Sequence, residues 1–319
     1  MDRRRFIQLA GKAGFVLLLL RRPESLFALP PDNAAYKKQL ELIQRIREMA
    51  DMLGMNIGND FYSKWNEEKN SFYYCLYVSM PDKINMPTFD ENGQLITNNE
   101  MGVICSSYND ALSYLIELQK KYEVRGSHTM LYKTAGVANT RLNTILLNYP
   151  LETISFIAFH EATHRHIRSW ANYMPYIFEE ACADVIGTHA TIELAKQYPN
   201  YFSLQTAKNQ LECMEEIDNC IISATKKYEN KDFESPEKLY TNCHDEILKH
   251  FPKNNQFFID RYDYAINNAY FLRYKNYTHY YFLLNKALHK MGLNEFIPFI
   301  NLLPTDEQHV KELLEIVCR

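Results

Sequence analysis

The chain has 319 residues, of which 46% are hydrophobic and 23% are charged, and this mix provides ample apolar material for a folded core. It excludes a wholly disordered chain. A net charge of -4 excludes the overall basic field that is typical of nucleic-acid binding. Tyr and Phe number 23 and 18 against 10 Gly, which favours amphipathic helices over a many-turned β-sandwich.

The first 28 residues are predicted to be a signal peptide rather than part of the fold. The segment Arg3-Arg4-Arg5-Phe6-Ile7-Gln8 resembles the twin-arginine export signal, and an apolar run follows over residues 13–20. This run is too short to span a bilayer, so it fits the apolar region of a signal peptide, with Ala28 as a cleavage position. The sequence therefore predicts export to the periplasm, with no stable membrane span once the signal is removed. A basic cytoplasmic tail with a chance apolar run is the alternative.

The seven cysteines are spread along the chain without a Cys-x-x-Cys pair, which argues against a structural zinc ribbon. Buried free thiols are the favoured interpretation. One or two disulfides remain an alternative if the protein is exported.

Apolar periodicity predicts the elements of residues 29–319, which are taken as one domain. In chain order we expect a helix over 34–54, a strand over 71–80, a long loop over 81–100, a helix over 109–122 and short strands over 129–134 and 143–148. Further helices are expected from Pro150 to about Trp170, from Pro175 to about Tyr198, and from Leu204 onward with interruptions at Pro236, Pro252 and Pro298. Strands precede helices, so the predicted class is α+β, with a small mixed sheet and its edge strand packed on a mostly helical domain.

One motif predicts a chemical function. Residues 160–164 are His160-Glu161-Ala162-Thr163-His164. On a helix, residues four apart lie one above the other, so the two imidazoles can reach one metal ion. Glu161 lies about 100° around the helix from His160, beside the metal rather than on it. A general base that shares a metal-bound water needs this position.

The helix that follows offers the third metal ligand. Glu180 and Asp184 lie four residues apart, and small residues such as Gly187 share their face, which would let this helix approach the metal-binding helix closely. We therefore predict that Glu180 binds the metal while Asp184 accepts a hydrogen bond from a ligand imidazole, most plausibly that of His160. Glu179 is the weaker candidate for the ligand, because Asp184 would then lie about 140° away from it.

These residues also carry a resemblance to a family. The segment HEATH followed by EEACADVIG is similar to the gluzincins, the thermolysin-like zinc peptidases, and more narrowly to a bacterial family of predicted zinc aminopeptidases. The narrower resemblance rests on further matching segments, namely Thr134-Ala135-Gly136, Leu142-Asn143-Thr144-Ile145-Leu146, Tyr149-Pro150, Asn267-Asn268-Ala269 and Tyr277. It covers about residues 70–295. Ala162, Thr163 and Arg165 depart from the family's usual run, and the lipoprotein cysteine common among members is missing here.

The resemblance implies a zincin-type catalytic domain, one bound Zn²⁺ and aminopeptidase activity. It also favours Tyr277 for a position in the cleft, where its hydroxyl would stabilise the oxyanion. Residues 143–148 would then be the edge strand that aligns an extended peptide. Glu179 is one candidate to hold the α-amine of a substrate. His166 is expected to pack rather than to bind metal, and His189 and His279 are weaker candidates for the cleft.

The sequence thus predicts a zinc-dependent peptidase in which His160, His164 and Glu180 hold the metal and Glu161 is the general base. Its expected partner is a peptide substrate, with no nucleic acid. Two alternatives use the same residues. One is an exported binding or structural protein that keeps an unused zinc site, and the other is a zinc hydrolase of non-peptide amides or esters.

Overall fold

The computed structural model describes residues 35–63, 73–84, 86–89, 95–99, 103–122, 128–134, 142–169, 174–251 and 256–319. The predicted signal peptide over residues 1–28 lies outside these ranges. Within them, no helix combines the length and the apolar character needed to cross a membrane.

The strands lie in the first half of the chain, and the second half is helical. The first half contains α1 (Lys37–Met52), β1 (Tyr73–Ser79), β2 (Met86–Phe89), β3 (Leu95–Asn99), β4 (Val103–Cys105), α2 (Tyr108–Tyr122), β5 (His128–Thr134) and α3 (Thr144–Leu147). The second half contains α4 (Leu151–Arg168), α5 (Tyr176–Gln197), α6 (Leu204–Glu229), α7 (Pro236–His250), α8 (Gln256–Tyr262), α9 (Asn268–Thr278), α10 (Tyr281–Met291), α11 (Leu293–Ile300) and α12 (Glu307–Cys318). The α+β class with a mostly helical body is confirmed.

The main sheet has three strands in the order β4–β1–β5. Helix α2 returns the chain between β4 and β5, so these two strands point the same way and both run antiparallel to β1. The prediction of a mixed sheet is therefore wrong, because all pairings among the described strands are antiparallel. The predicted loop over 81–100 also contains a second, two-stranded sheet, β2–β3, in which Thr88 pairs with Ile96 and Phe89 with Leu95.

The predicted edge strand over 143–148 is wrong, since this segment forms the one-turn helix α3. Asn143 is the reason, because its side-chain oxygen accepts a hydrogen bond of 2.8 Å from the backbone N–H of Leu146 and so caps the turn. Leu146 and Leu147 are buried on the turn that follows. The segment is thus a core-packed turn that leads into α4.

The core has two parts that meet at α4. One joins α1, α4, α5 and α10 to α12, and includes Phe159. The other joins β1 and β5 to α6 to α9, and includes Phe156, which also belongs to α4. All seven cysteines are free thiols, as the favoured interpretation predicts.

Helix α5 is apolar on all sides and runs through this core, so its polar side chains are buried with it. At Gly187, a Cβ atom would lie 3.1 Å from the backbone oxygen of Phe156 and 3.4 Å from the backbone nitrogen of His160. The close approach of the two helices that the small residues predict is therefore present. It brings the middle of α5 against the part of α4 that carries the HEATH segment.

Candidate metal centre

The two histidines of the HEATH segment on α4 turn towards each other in a buried position. His160 and His164 are 9% and 4% exposed, and their Nε2 atoms are 3.0 Å apart. At this distance the two nitrogens repel each other unless a proton or a metal ion lies between them. Helix α4 thus directs one nitrogen of each imidazole at the same position.

Glu180 of α5 completes this group. Its carboxylate oxygens lie 3.6 Å from Nε2 of His160 and 3.5 Å from Nε2 of His164. Ligands at 2.0–2.1 Å from a tetrahedral ion lie roughly 3.3 Å from one another, and the three observed separations bracket that value. Oε2 of Glu180 is also buried without a hydrogen-bond partner among the described residues. The residues therefore fit a metal ion, and their nitrogen and oxygen donors suit Zn²⁺.

The outer nitrogen of each imidazole faces a carboxylate on α5. Nδ1 of His160 is 2.9 Å from Oδ1 of Asp184, although its N–H is not directed along the line that joins them. Nδ1 of His164 makes a hydrogen bond of 2.6 Å with Glu179. Carboxylates in these positions fix the ring orientation and leave Nε2 free for a metal.

Each of these carboxylates is in turn paired with an arginine. The fully buried Asp184 forms an ion pair with Arg261 of α8, and Glu179 lies 2.7 Å from Nε of Arg168 at the end of α4. A buried carboxylate is stable only when it is paired in this way. Burial alone would raise the pKa of Asp184, but Arg261 and His160 hold it below its usual value.

Glu179 is the residue whose role the sequence analysis missed. Its Oε1 atom contacts both Nδ1 of His164 and Nε of Arg168, so this carboxylate links the imidazole to the arginine. Arg168 lies four residues after His164, on the same face of α4, and this basic residue was the available signal.

The charges inside the site depend on one another. Burial alone would lower the pKa of His164, but the carboxylates of Glu180 and Glu179 raise it well above its usual value. Burial alone would raise the pKa of Glu180, but the two imidazoles hold it below its usual range. Without a metal, a proton on His164 thus serves as the counter-charge of Glu180. A metal that binds here must displace that proton.

Glu161 lies next to the ligands without being one of them, as its position on the helix predicts. Its side chain is 8% exposed, and burial raises its pKa although both imidazoles oppose the shift. A carboxylate with a raised pKa is a stronger base than an exposed one. Glu161 is therefore suited to accept a proton beside the metal ligands.

Tyrosines of α9 and α5 differ in how they contact the site. The ring of Tyr277 stacks on that of His160, with centroids 6.3 Å apart, so this tyrosine lies at the site. Tyr274 instead donates its hydroxyl hydrogen to the backbone oxygen of Arg261 and belongs to the core. Tyr176, which the sequence analysis did not single out, begins α5 one turn before Glu180, and its hydroxyl helps to lower the pKa of that carboxylate.

The remaining histidines lie away from this group. His166 is fully buried and accepts a hydrogen bond of 2.8 Å from the backbone N–H of Asn56, so it packs as predicted. His189 bonds to Asn285 of α10 at 2.7 Å, and His279 packs against the ring of Tyr280. Neither is among the described metal-binding groups.

Comparison of this chain with protein-family models, with curated proteins and with solved structures finds no match.

Proposed function

We propose that the protein is a zinc-dependent peptidase. The observation that carries the proposal is the arrangement around His160 and His164, whose inner nitrogens converge with Glu180 while their outer nitrogens face Asp184 and Glu179. A buried carboxylate, Glu161, lies beside the ligands and is left for proton transfer. A metal site with three protein ligands and a neighbouring base is typical of hydrolytic zinc enzymes.

His160, His164 and Glu180 would hold the ion. When bound, zinc supplies Lewis acidity and lowers the pKa of a water molecule in its open position. Glu161 takes the proton of the attacking water and afterwards delivers it to the amine that leaves. Asp184 and Glu179 keep the imidazoles in the ligating orientation during these steps.

Tyr277 has a separate role in the proposal. Its ring is fixed by stacking on His160 and by the guanidinium groups of Arg261 and Arg273, whose centres lie 5.5 and 5.4 Å from its centroid. Burial raises the pKa of its hydroxyl well above the usual value, so the group keeps its proton. It is therefore a hydrogen-bond donor for the negative charge that develops on the carbonyl oxygen of the substrate.

The resemblance to zinc aminopeptidases supports a peptide substrate, and removal of amino-terminal residues is the corresponding proposal for specificity.

The test is Glu161→Gln, assayed with a peptide library on zinc-loaded protein. The change keeps the size of the side chain and removes the base, so zinc content should stay constant while hydrolysis falls at least about a hundredfold. Glu152→Gln is the matched control, because Glu152 lies in the first turn of the same helix and accepts a hydrogen bond from the backbone N–H of Ser203. A Glu161→Gln variant that retains most of its activity would refute the mechanism. If the unaltered protein binds zinc but hydrolyses no peptide, the site is non-catalytic.

A further inference from the structure

A second group of metal-binding side chains lies between α6 and α7, which form a helical hairpin. Each helix contributes two residues four positions apart, which places them on one face. Helix α6 supplies Glu216 and Cys220, and helix α7 supplies Glu246 and His250. Ligand atoms of Cys220, Glu246 and His250 all lie within 4.8 Å of one another.

The orientation of His250 is fixed from its outer side. Its Nδ1 atom lies 2.7 Å from Oε2 of Glu216, and its Nε2 atom lies 3.9 Å from Oε1 of Glu246. The other carboxylate oxygen of Glu246 pairs with Lys249 at 2.5 Å. One ring nitrogen of His250, one carboxylate oxygen of Glu246 and the sulfur of Cys220 thus lie close together between the two helices.

This arrangement shares one feature with the first site, a carboxylate at the outer nitrogen of a histidine. There, carboxylates on α5 hold the outer nitrogens of two ligand imidazoles, and here Glu216 holds the outer nitrogen of His250. A histidine held in this way presents its other nitrogen as a metal ligand. The group is half-exposed, so an ion can enter from solvent.

We propose that Cys220, Glu246 and His250 bind a second zinc ion, which links α6 to α7, with Glu216 as the residue that positions His250. Sulfur, imidazole nitrogen and carboxylate oxygen are the three donor types that zinc accepts in proteins. Binding converts the Cys220 thiol to a thiolate and releases its proton to solvent. The proposal is independent of any hydrolytic activity.

The two sites differ in one property that an experiment can use, because the site on α4 and α5 has no sulfur ligand. Titration of metal-free, full-length protein with Co²⁺ should therefore produce a thiolate-to-cobalt absorption band in the near ultraviolet only when the second site fills. Cys220→Ser should abolish the band, and Cys318→Ser, a change of a thiol at the end of α12, should leave it intact. His164→Ala should also leave it intact.

A variant with a partial effect on cobalt affinity distinguishes a metal site from a thiol that binds cobalt by chance. Glu216→Gln should keep the band and weaken cobalt binding roughly ten- to a hundredfold, because it disturbs only the orientation of His250. Zinc content measured in parallel should fall by one ion per chain in Cys220→Ser, with the circular dichroism of the fold unchanged. Should Cys220→Ser fail to fold, His250→Gln provides the same test. Cobalt binding without the band, or a band that survives in Cys220→Ser, would overturn the proposal.

Discussion

Substitution of Gly187 by Ala tests whether the approach of α5 to α4 sets the metal site. The new Cβ would meet the backbone oxygen of Phe156 at 3.1 Å and the backbone nitrogen of His160 at 3.4 Å. Because the closer atom belongs to the backbone, no side-chain rotation can relieve the contact. The helices must move apart by a few tenths of an ångström.

Two opposing effects set the change in stability. Overpacking of a core typically costs about 1–3 kcal/mol. Replacement of Gly by Ala inside a helix contributes roughly 1 kcal/mol in the other direction. The free energy of unfolding should therefore fall by about 0–2 kcal/mol. Zinc affinity should fall further, by roughly tenfold or more, because a metal site tolerates ligand displacements of only about 0.2 Å.

Urea unfolding of the metal-free protein and a competition titration with a zinc chelator measure the two effects separately. Glu193→Ala is a suitable control, since this half-exposed residue of the same helix pairs with Lys196. It should change stability by no more than about 0.5 kcal/mol. If Gly187→Ala is more stable than the original protein and binds zinc equally well, the close contact does not control the site.

Three further predictions concern single side chains. Asp184→Asn and Glu179→Gln should each weaken zinc affinity roughly ten- to a hundredfold, as measured by chelator competition. Glu180→Ala should weaken it much more. Equal losses of affinity in the Glu179 and Glu180 variants would contradict the ligand assignment. Tyr277→Phe should lower kcat roughly ten- to a thousandfold with zinc content and KM nearly unchanged, and full activity would refute its role. Burial raises the pKa of Asp218 to about 7 from 3.8, so the folded protein keeps a proton that the unfolded chain loses, and stability should fall as pH rises from about 4 to 7. Asp218→Asn should flatten that part of the stability profile, and an unchanged profile would contradict the assignment.

Much of the fold follows from local patterns that the sequence shows directly. The apolar stripes of α1 and α2, the proline before α5 and the aromatic run of β1 predict these elements to within a few residues. The segment 143–148 could not be predicted this way, because its apolar residues fit a strand and the capping bond of Asn143 decides the outcome. The β2–β3 hairpin was missed because its polar composition is typical of a loop.

The candidate site could also be predicted in part from local spacing. Helical spacing is sufficient to place His160, His164 and Glu180 together, because all three lie on two neighbouring helices. Arg261 could not be found from spacing, since it reaches Asp184 from a helix far along the chain. Contacts of this kind depend on how whole elements pack, and one sequence does not record them.

The pairing of Asp184 with Arg261 has a consequence for the order in which the protein folds. These residues are 77 positions apart, and Asp184 has no exposure to solvent. Until α8 docks, the α4–α5 pair would have to bury an uncompensated carboxylate, which is strongly unfavourable. We therefore expect the metal-binding helices to reach their final packing only after α6, α7 and α8 are in place. A chain that ends before α8 would contain every proposed ligand of the first site and still fail to assemble it.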